Sequence, residues 1–138
     1  MSRYKVLVVD DEEDIDTIFQ MMFKDIIDSE FIEYHFFASA NECLEYLNKN
    51  KDTNCTIVIL SDINMPNITG FELLQILKSK SSDVKVFMVS AYSDEDYIKK
   101  AKMLGADDYF VKPVNFDDLR KRIFETIKQH EQDYDNSD

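Results

Sequence analysis

The sequence predicts an α/β fold in which one five-stranded parallel sheet carries helices on both faces. Three observations lead to it. Short apolar, β-branched runs alternate five times with stretches whose apolar residues recur at three and four. The run Cys55-Thr56-Ile57-Val58-Ile59-Leu60 is apolar almost throughout, as a strand buried on both faces must be. Acids, a serine and a lysine stand directly after strand runs, where open α/β sheets bind their ligands.

The first strand is Tyr4-Lys5-Val6-Leu7-Val8-Val9, and five acids, Asp10 to Asp14, follow it. Ile15, Ile18, Phe19, Met22, Phe23, Ile26 and Ile27 then form one broad apolar face, predicting a single helix closed by Asp28-Ser29-Glu30. Glu12, Glu13 and Asp14 suit the first turn of that helix, where negative charge complements the dipole. Asp10 and Asp11 have no such account and fall at the strand's end. Residues 31–37 read as the second strand. Ser39-Ala40-Asn41-Glu42 reads as a capped start to the second helix, with Cys43, Leu44 and Leu47 as its stripe. A polar loop, 48–54, leads to the third strand at 55–60, which runs into Asp62.

Met65-Pro66 stops that strand, because proline lacks a ladder N–H and biases its predecessor to extended geometry. Gly70 is expected to supply a backbone other residues resist, and the third helix follows from Phe71. Lys80 to Asp83 forms a turn, and Val84 to Val89 the fourth strand, ending in Ser90-Ala91. Ser93-Asp94-Glu95-Asp96 reads as a capping box for the fourth helix, with Tyr97, Ala101 and Leu104 on one side and Gly105 at its C-cap. The fifth strand, 107–111, ends in Lys112-Pro113. The last helix starts at about Asp117, with Leu119, Ile123, Phe124 and Ile127 apolar. One domain is expected over 1–130, and 131–138 as an acidic tail that frays.

Composition excludes several classes. A chain of 138 residues suits one domain, and 44% apolar with 32% charged residues is the balance of a soluble globular protein. Apolar runs stay far below the roughly 18 residues that span a bilayer, and no signal peptide precedes the first strand, so the cytoplasm is the expected compartment. Cys43 and Cys55 lack metal-ligand spacing and read as apolar thiols. His35 has no second ligand in sequence and reads as an ordinary strand residue. The formal net charge of −12 argues against direct nucleic-acid binding. Even the basic group Arg120-Lys121-Arg122 is flanked by Asp117, Asp118 and Glu125.

Short connections and right-handed crossovers give a parallel sheet covered on both faces. Alternation alone does not order the strands; the flavodoxin-like order 2-1-3-4-5 is the common doubly wound solution at this size, with strands one, three and four adjacent. That order gathers Asp10, Asp11, Asp62, Ser90 and Lys112 at one edge. Carboxylates so placed repel, and a hard divalent cation with oxygen ligands, Mg²⁺ by preference with phosphate, relieves them. Lys112 suits a phosphoryl oxygen, and Ser90 offers a hydroxyl. Such a site can attack phosphorus with a carboxylate to form an aspartyl phosphate.

The paired acids after strand one, Asp-x-x-Met-Pro-x-x-x-Gly after strand three, Ser-Ala after strand four and Lys-Pro after strand five stand in order. In these motifs the chain resembles the response-regulator receiver domains of two-component signalling, over roughly residues 3 to 130. The resemblance implies that Asp62 is the phosphoacceptor. It implies Mg²⁺ held by the Asp11 and Asp62 carboxylates and the Asn64 backbone carbonyl, with Asp10 acting through water. Ser90 and Lys112 would hold the phosphoryl oxygens, and the Lys112-Pro113 bond would be cis. On phosphorylation Ser90 would move towards the new group and Tyr109 would rotate inward. The fourth helix, fifth strand and fifth helix, residues 94 to 128, would then be remodelled. The family pattern sets Asn64 and Tyr92 beside the path of the hydrolytic water, where they would tune the lifetime. Bulky Tyr92 would partly shield the acyl phosphate, with an exposed loop aromatic as the alternative reading.

The implied partners are a sensor histidine kinase or histidine phosphotransfer protein, and a downstream protein or an output domain. The chain would be a monomer or a phosphorylation-dependent dimer, and it would catalyse only its own phosphorylation and dephosphorylation. Two alternatives stay open: a phosphorylation-independent adaptor on the same fold, and a Mg²⁺-dependent aspartyl-phosphate phosphatase. Haloacid-dehalogenase-like enzymes of the latter kind carry Asp-x-Asp after the first strand, whereas here the acceptor follows the third and position 64 is Asn.

Overall fold

The computed structural model describes residues 4–51, 55–80 and 83–136. Residues 52–54 of the expected polar loop, 81–82 of the expected turn and 137–138 of the expected tail lie outside it. The elements are β1 (Tyr4–Val9), α1 (Glu13–Met22), α2 (Lys24–Asp28), β2 (Glu33–Phe37), α3 (Ala40–Lys49), β3 (Thr56–Ser61), α4 (Gly70–Lys80), β4 (Lys85–Ser90), α5 (Glu95–Met103), β5 (Asp108–Val111) and α6 (Phe116–Asn136). All strand pairs are parallel, in the order β2-β1-β3-β4-β5. The predicted topology holds. No helix among the described residues is long and apolar enough to cross a membrane.

Side-chain alternation along the central strands splits the core in two. Leu7, Val9, Ile59, Val86 and Met88 face α3, α4 and α5, where Cys43, Leu73, Leu74, Leu77 and Ala101 meet them. Val6, Val8, Val58, Leu60, Phe87 and Val89 face the other way, against Phe19, Phe23, Ile26, Leu119, Ile123 and Ile127 of α1, α2 and α6. Strands covered on both faces have no polar face to show, which is why their sequences read as apolar runs.

Four local expectations change. The single first helix is interrupted at Phe23, a non-helical residue at φ −111° and ψ 14°. Its ring is buried against Phe19 and Phe116, so packing bends the path where no Pro or Gly signals it. β2 begins at Glu33 because Glu30, at φ +62°, turns the chain first. The capping box expected at Ser93 does not form: Asp94 is the N-cap of α5, and its side chain makes no cap hydrogen bond. The backbone of α6 continues to Asn136, through most of the segment expected to fray; residues 129–136 contain no Pro or Gly to end it. Elsewhere the caps follow sequence: Ser39 Oγ accepts from the Glu42 N–H, and Gly105 takes φ +99° after α5.

His35 does have neighbours. Its Nε2 lies 2.8 Å from Glu33 Oε2 and 3.2 Å from the Tyr46 hydroxyl, which also accepts from Lys5 Nζ at 3.0 Å. This polar knot secures the outer strand β2 against β1 and α3, at the far side of the sheet from β4 and β5.

Candidate functional site

Backbone register brings the odd residues together. Val9 pairs with Ser61, and the Asp62 N–H continues the ladder to Val9 O at 2.9 Å, so Asp10 and Asp62 leave adjacent strands side by side. Ser90 pairs with Val111, and the Lys112 N–H donates to Ser90 O at 2.8 Å, which sets Lys112 at the same edge. Lys112-Pro113 is cis. Asp10, Asp11 and Asp62 each offer a carboxylate oxygen, all within 4.8 Å of one another. Lys112 Nζ lies 2.8 Å from Asp10 Oδ2 and 3.6 Å from Asp62 Oδ2.

Asp10 and Asp62 are buried and Asp11 is exposed, so the cluster opens to solvent on the Asp11 side. Asp62 Oδ1 accepts from the Ile63 N–H at 2.8 Å, and Asp10 Oδ1 from the Glu12 N–H at 2.9 Å, which fixes both carboxylates in rotation. Burial pushes the Asp62 carboxyl up to about 6; Lys112 pulls against this, and Asp10 and Asp11 add to it. Burial alone would discourage charge on Lys112, but its bond to Asp10 and the attraction of Asp62 outweigh that and hold the ammonium above its ordinary value. One lysine therefore undercompensates three acids. An all-oxygen donor set with uncompensated negative charge fits a hard divalent cation.

Gly70 explains how Asp62 is seated. A Cβ there would come 2.0 Å from Asp62 O, and the Gly70 N–H donates to Ile63 O at 2.8 Å. Gly70 does not supply the unusual backbone angle expected of it. Close approach is the reason for the glycine, and the left-handed residue of the loop is Asn67, at φ +69°.

Tyr92 links the remaining residues. Its N–H donates to Ser90 Oγ at 3.1 Å, its carbonyl accepts from the Tyr109 hydroxyl at 2.6 Å, and its own hydroxyl is bonded by Asn64 Nδ2. Tyr109 is partly buried against the α3–α5 core, and burial raises its phenol above the ordinary value. Asn64 and Tyr92 are both exposed, and Asn64 stands two residues after Asp62. The Tyr92 ring lies on that of Tyr97. Sequence reasoning placed Tyr97 only on the apolar side of its helix; its spacing of five from Tyr92 across a helix start carries no contact signal.

The chain matches the family model of the response regulator receiver domain over residues 6–124. It is 34% identical over 118 residues to Two-component response regulator ARR12 of Arabidopsis thaliana, covering 84% of this chain and 18% of that protein. It thus spans about a fifth of that relative's length. It is also 28% identical over 125 residues to Sporulation initiation phosphotransferase F of Bacillus subtilis, covering 89% of this chain and 93% of that one. Among solved structures, a response regulator receiver domain protein from Clostridium thermocellum superposes with a TM-score of 0.79 at 26% identity, over 94% of this chain and 98% of the other.

Proposed function

The chain belongs to the response regulator receiver domain family, and on that premise we propose that it is a switch whose Asp62 accepts a phosphoryl group from a histidine donor. The donor would be a sensor kinase or a phosphotransfer protein. One observation carries the reading: three carboxylate oxygens within 4.8 Å, with a lysine ammonium 3.6 Å from Asp62 Oδ2.

An Asp62 oxygen forms a bond to phosphorus while the donor's P–N bond breaks and its electron pair leaves with the imidazole. The product is an aspartyl phosphate. Water reverses the state by attacking phosphorus, which releases inorganic phosphate and restores the carboxylate. A carboxyl lifted to about 6 by burial is still ionised at neutral pH and is a better nucleophile than a solvated one. Lys112 keeps its charge and faces the oxygens on which negative charge grows. Ser90 donates its hydroxyl to one of them. Asp11, Asp62 and the Asn64 carbonyl would hold Mg²⁺, with Asp10 acting through water. When bound, the ion would supply Lewis-acid polarisation of the phosphoryl group.

The readout follows from the Tyr92 peptide, which touches Ser90 on one side and Tyr109 on the other. Recruiting Ser90 to a phosphoryl oxygen disturbs that peptide and with it Tyr109, biasing α5, β5 and α6 over residues 94–128. A downstream protein or an output domain would read this face, with a phosphorylation-dependent dimer as one form of readout. The net activity is signalling, with turnover confined to the protein's own phosphoryl group.

Intact-protein mass after exposure to acetyl phosphate and Mg²⁺ tests the reading. We expect a labile gain of about 80 Da that chelator and Asp62→Ala both abolish. Label that survives in Asp62→Ala would place the acceptor elsewhere. No label from acetyl phosphate or from a phosphohistidine donor would leave the adaptor reading.

A further inference from the structure

We propose that Tyr97, in the first turn of α5, is a positioning residue for hydrolysis of the aspartyl phosphate. It holds the Tyr92 phenol against Asn64 beside the acceptor, and so ties the lifetime of the phosphorylated state to the seating of α5 on α4. The inference rests on Asp62 being the acceptor.

The Tyr92 and Tyr97 rings stack at 4.6 Å between centroids with 8° between planes. Tyr97 in turn stacks on Phe71 at 5.9 Å and 23°, and Lys100 Nζ sits 4.6 Å from the Phe71 centroid on the ring face. Phe71 directly follows Gly70, whose Cα packs against the Asp62 carbonyl. A continuous stack therefore runs from the backbone against the acceptor, through α4 and α5, to Tyr92, whose hydroxyl is bonded by Asn64 two residues after the acceptor. Phe71, Tyr97 and Lys100 also line a groove of about 520 Å³ that reaches Asn64.

The Tyr92 peptide is held from both sides, which leaves its two side-chain torsions to be fixed. The hydroxyl–Asn64 bond restrains the far end, and the Tyr97 face restrains the ring. Without that face, an aromatic that is already 36% exposed keeps only one terminal hydrogen bond. The phenol then leaves Asn64 for part of the time, and water reaches the phosphorus on the line it had covered. Tyr97 acts through its ring, so phenylalanine should replace it.

Three observations decide the matter, starting with the decay of label after removal of acetyl phosphate. Tyr97→Ala should lose label about threefold to tenfold faster than wild type, the range that loss of one aromatic stack spans. Tyr97→Phe should restore the wild-type rate. In a Tyr92→Ala background, Tyr97→Ala should add nothing, because the residue it positions is gone. Decay at the wild-type rate in Tyr97→Ala, or full acceleration in the Tyr92→Ala background, overturns the proposal. The third observation is the Asn64 side-chain amide resonance in unphosphorylated protein. It should shift alike in Tyr97→Ala and Tyr92→Ala and stay put in Tyr97→Phe; an unmoved resonance in Tyr97→Ala also overturns the proposal. If wild type takes no label from acetyl phosphate or from a phosphohistidine donor, the assignment of Asp62 fails, and this resonance still judges Tyr97.

Discussion

Asp62 is ionised where ionisation costs most, on a residue 8% exposed and beside two other acids. Unfolded, its carboxyl titrates near the ordinary 3.8; folded, it keeps its proton up to about 6. The fold binds the extra proton between those values, so the stability that Asp62 contributes is complete below pH 3.8 and is lost as pH rises through about 6. Without divalent cation, Asp62→Asn should therefore stabilise the protein at pH 7 by about 2 kcal/mol in urea titrations, and the gain should vanish as pH falls towards 4. An equal gain at both ends of that range would mean that charge is not the cause. Lys112→Ala works in the opposite sense. It leaves Asp10, 3% exposed, without its cation. We expect a loss of about 3 kcal/mol in the metal-free protein and about a hundredfold slower label uptake. Asp10, Asp62, Ser90 and Lys112 were legible in the sequence because each stands at the carboxyl end of an apolar strand. The Tyr92 contacts were not, since they join a loop to Asn64, Tyr97 and Tyr109 from three other segments.

At the level of elements, the loop between β3 and α4 is shaped by contact. Gly70→Ala would set a methyl group 2.0 Å from Asp62 O, against backbone that cannot swing aside. A loss of about 3 kcal/mol is expected, together with slower labelling, because Asp62 must shift to make room. Thermal melts and acetyl phosphate uptake check the two parts, and a variant that matches wild type in both would show that the loop is loose. The glycine was visible in sequence, but its reason needed the tertiary approach of α4 to Asp62. The same limit hid the bend at Phe23, where ring packing decides the path. It also hid the length of α6, whose polar composition after residue 128 outweighed its lack of helix-breaking residues.

The whole molecule is a sheet between two separate cores. Its five strand–helix repeats were readable because apolar runs and helical periods alternate, whereas the strand order rested on the common doubly wound solution. Leu73 and Leu119 are both fully buried on opposite faces. Leu73→Ala and Leu119→Ala should each cost about 2–5 kcal/mol. Their effects should add within about 0.5 kcal/mol, while unfolding stays a single transition. Two resolved transitions in either variant would mean that the faces melt independently. The sheet also has two rims, at the carboxyl and amino ends of its strands, and α6 runs from one to the other. It begins just after Lys112-Pro113, and at the amino-end rim Thr56 Oγ1, at the start of the central strand, is 2.8 Å from His130 Nδ1. Six further residues carry the backbone about 9 Å past that bond. Were phosphorylation to tilt the helix about that bond by about 10°, the Asn136 tip would swing by roughly 1.5 Å, given its rise per residue. On the proposed switch, chemistry at one rim of the sheet would become travel at the other.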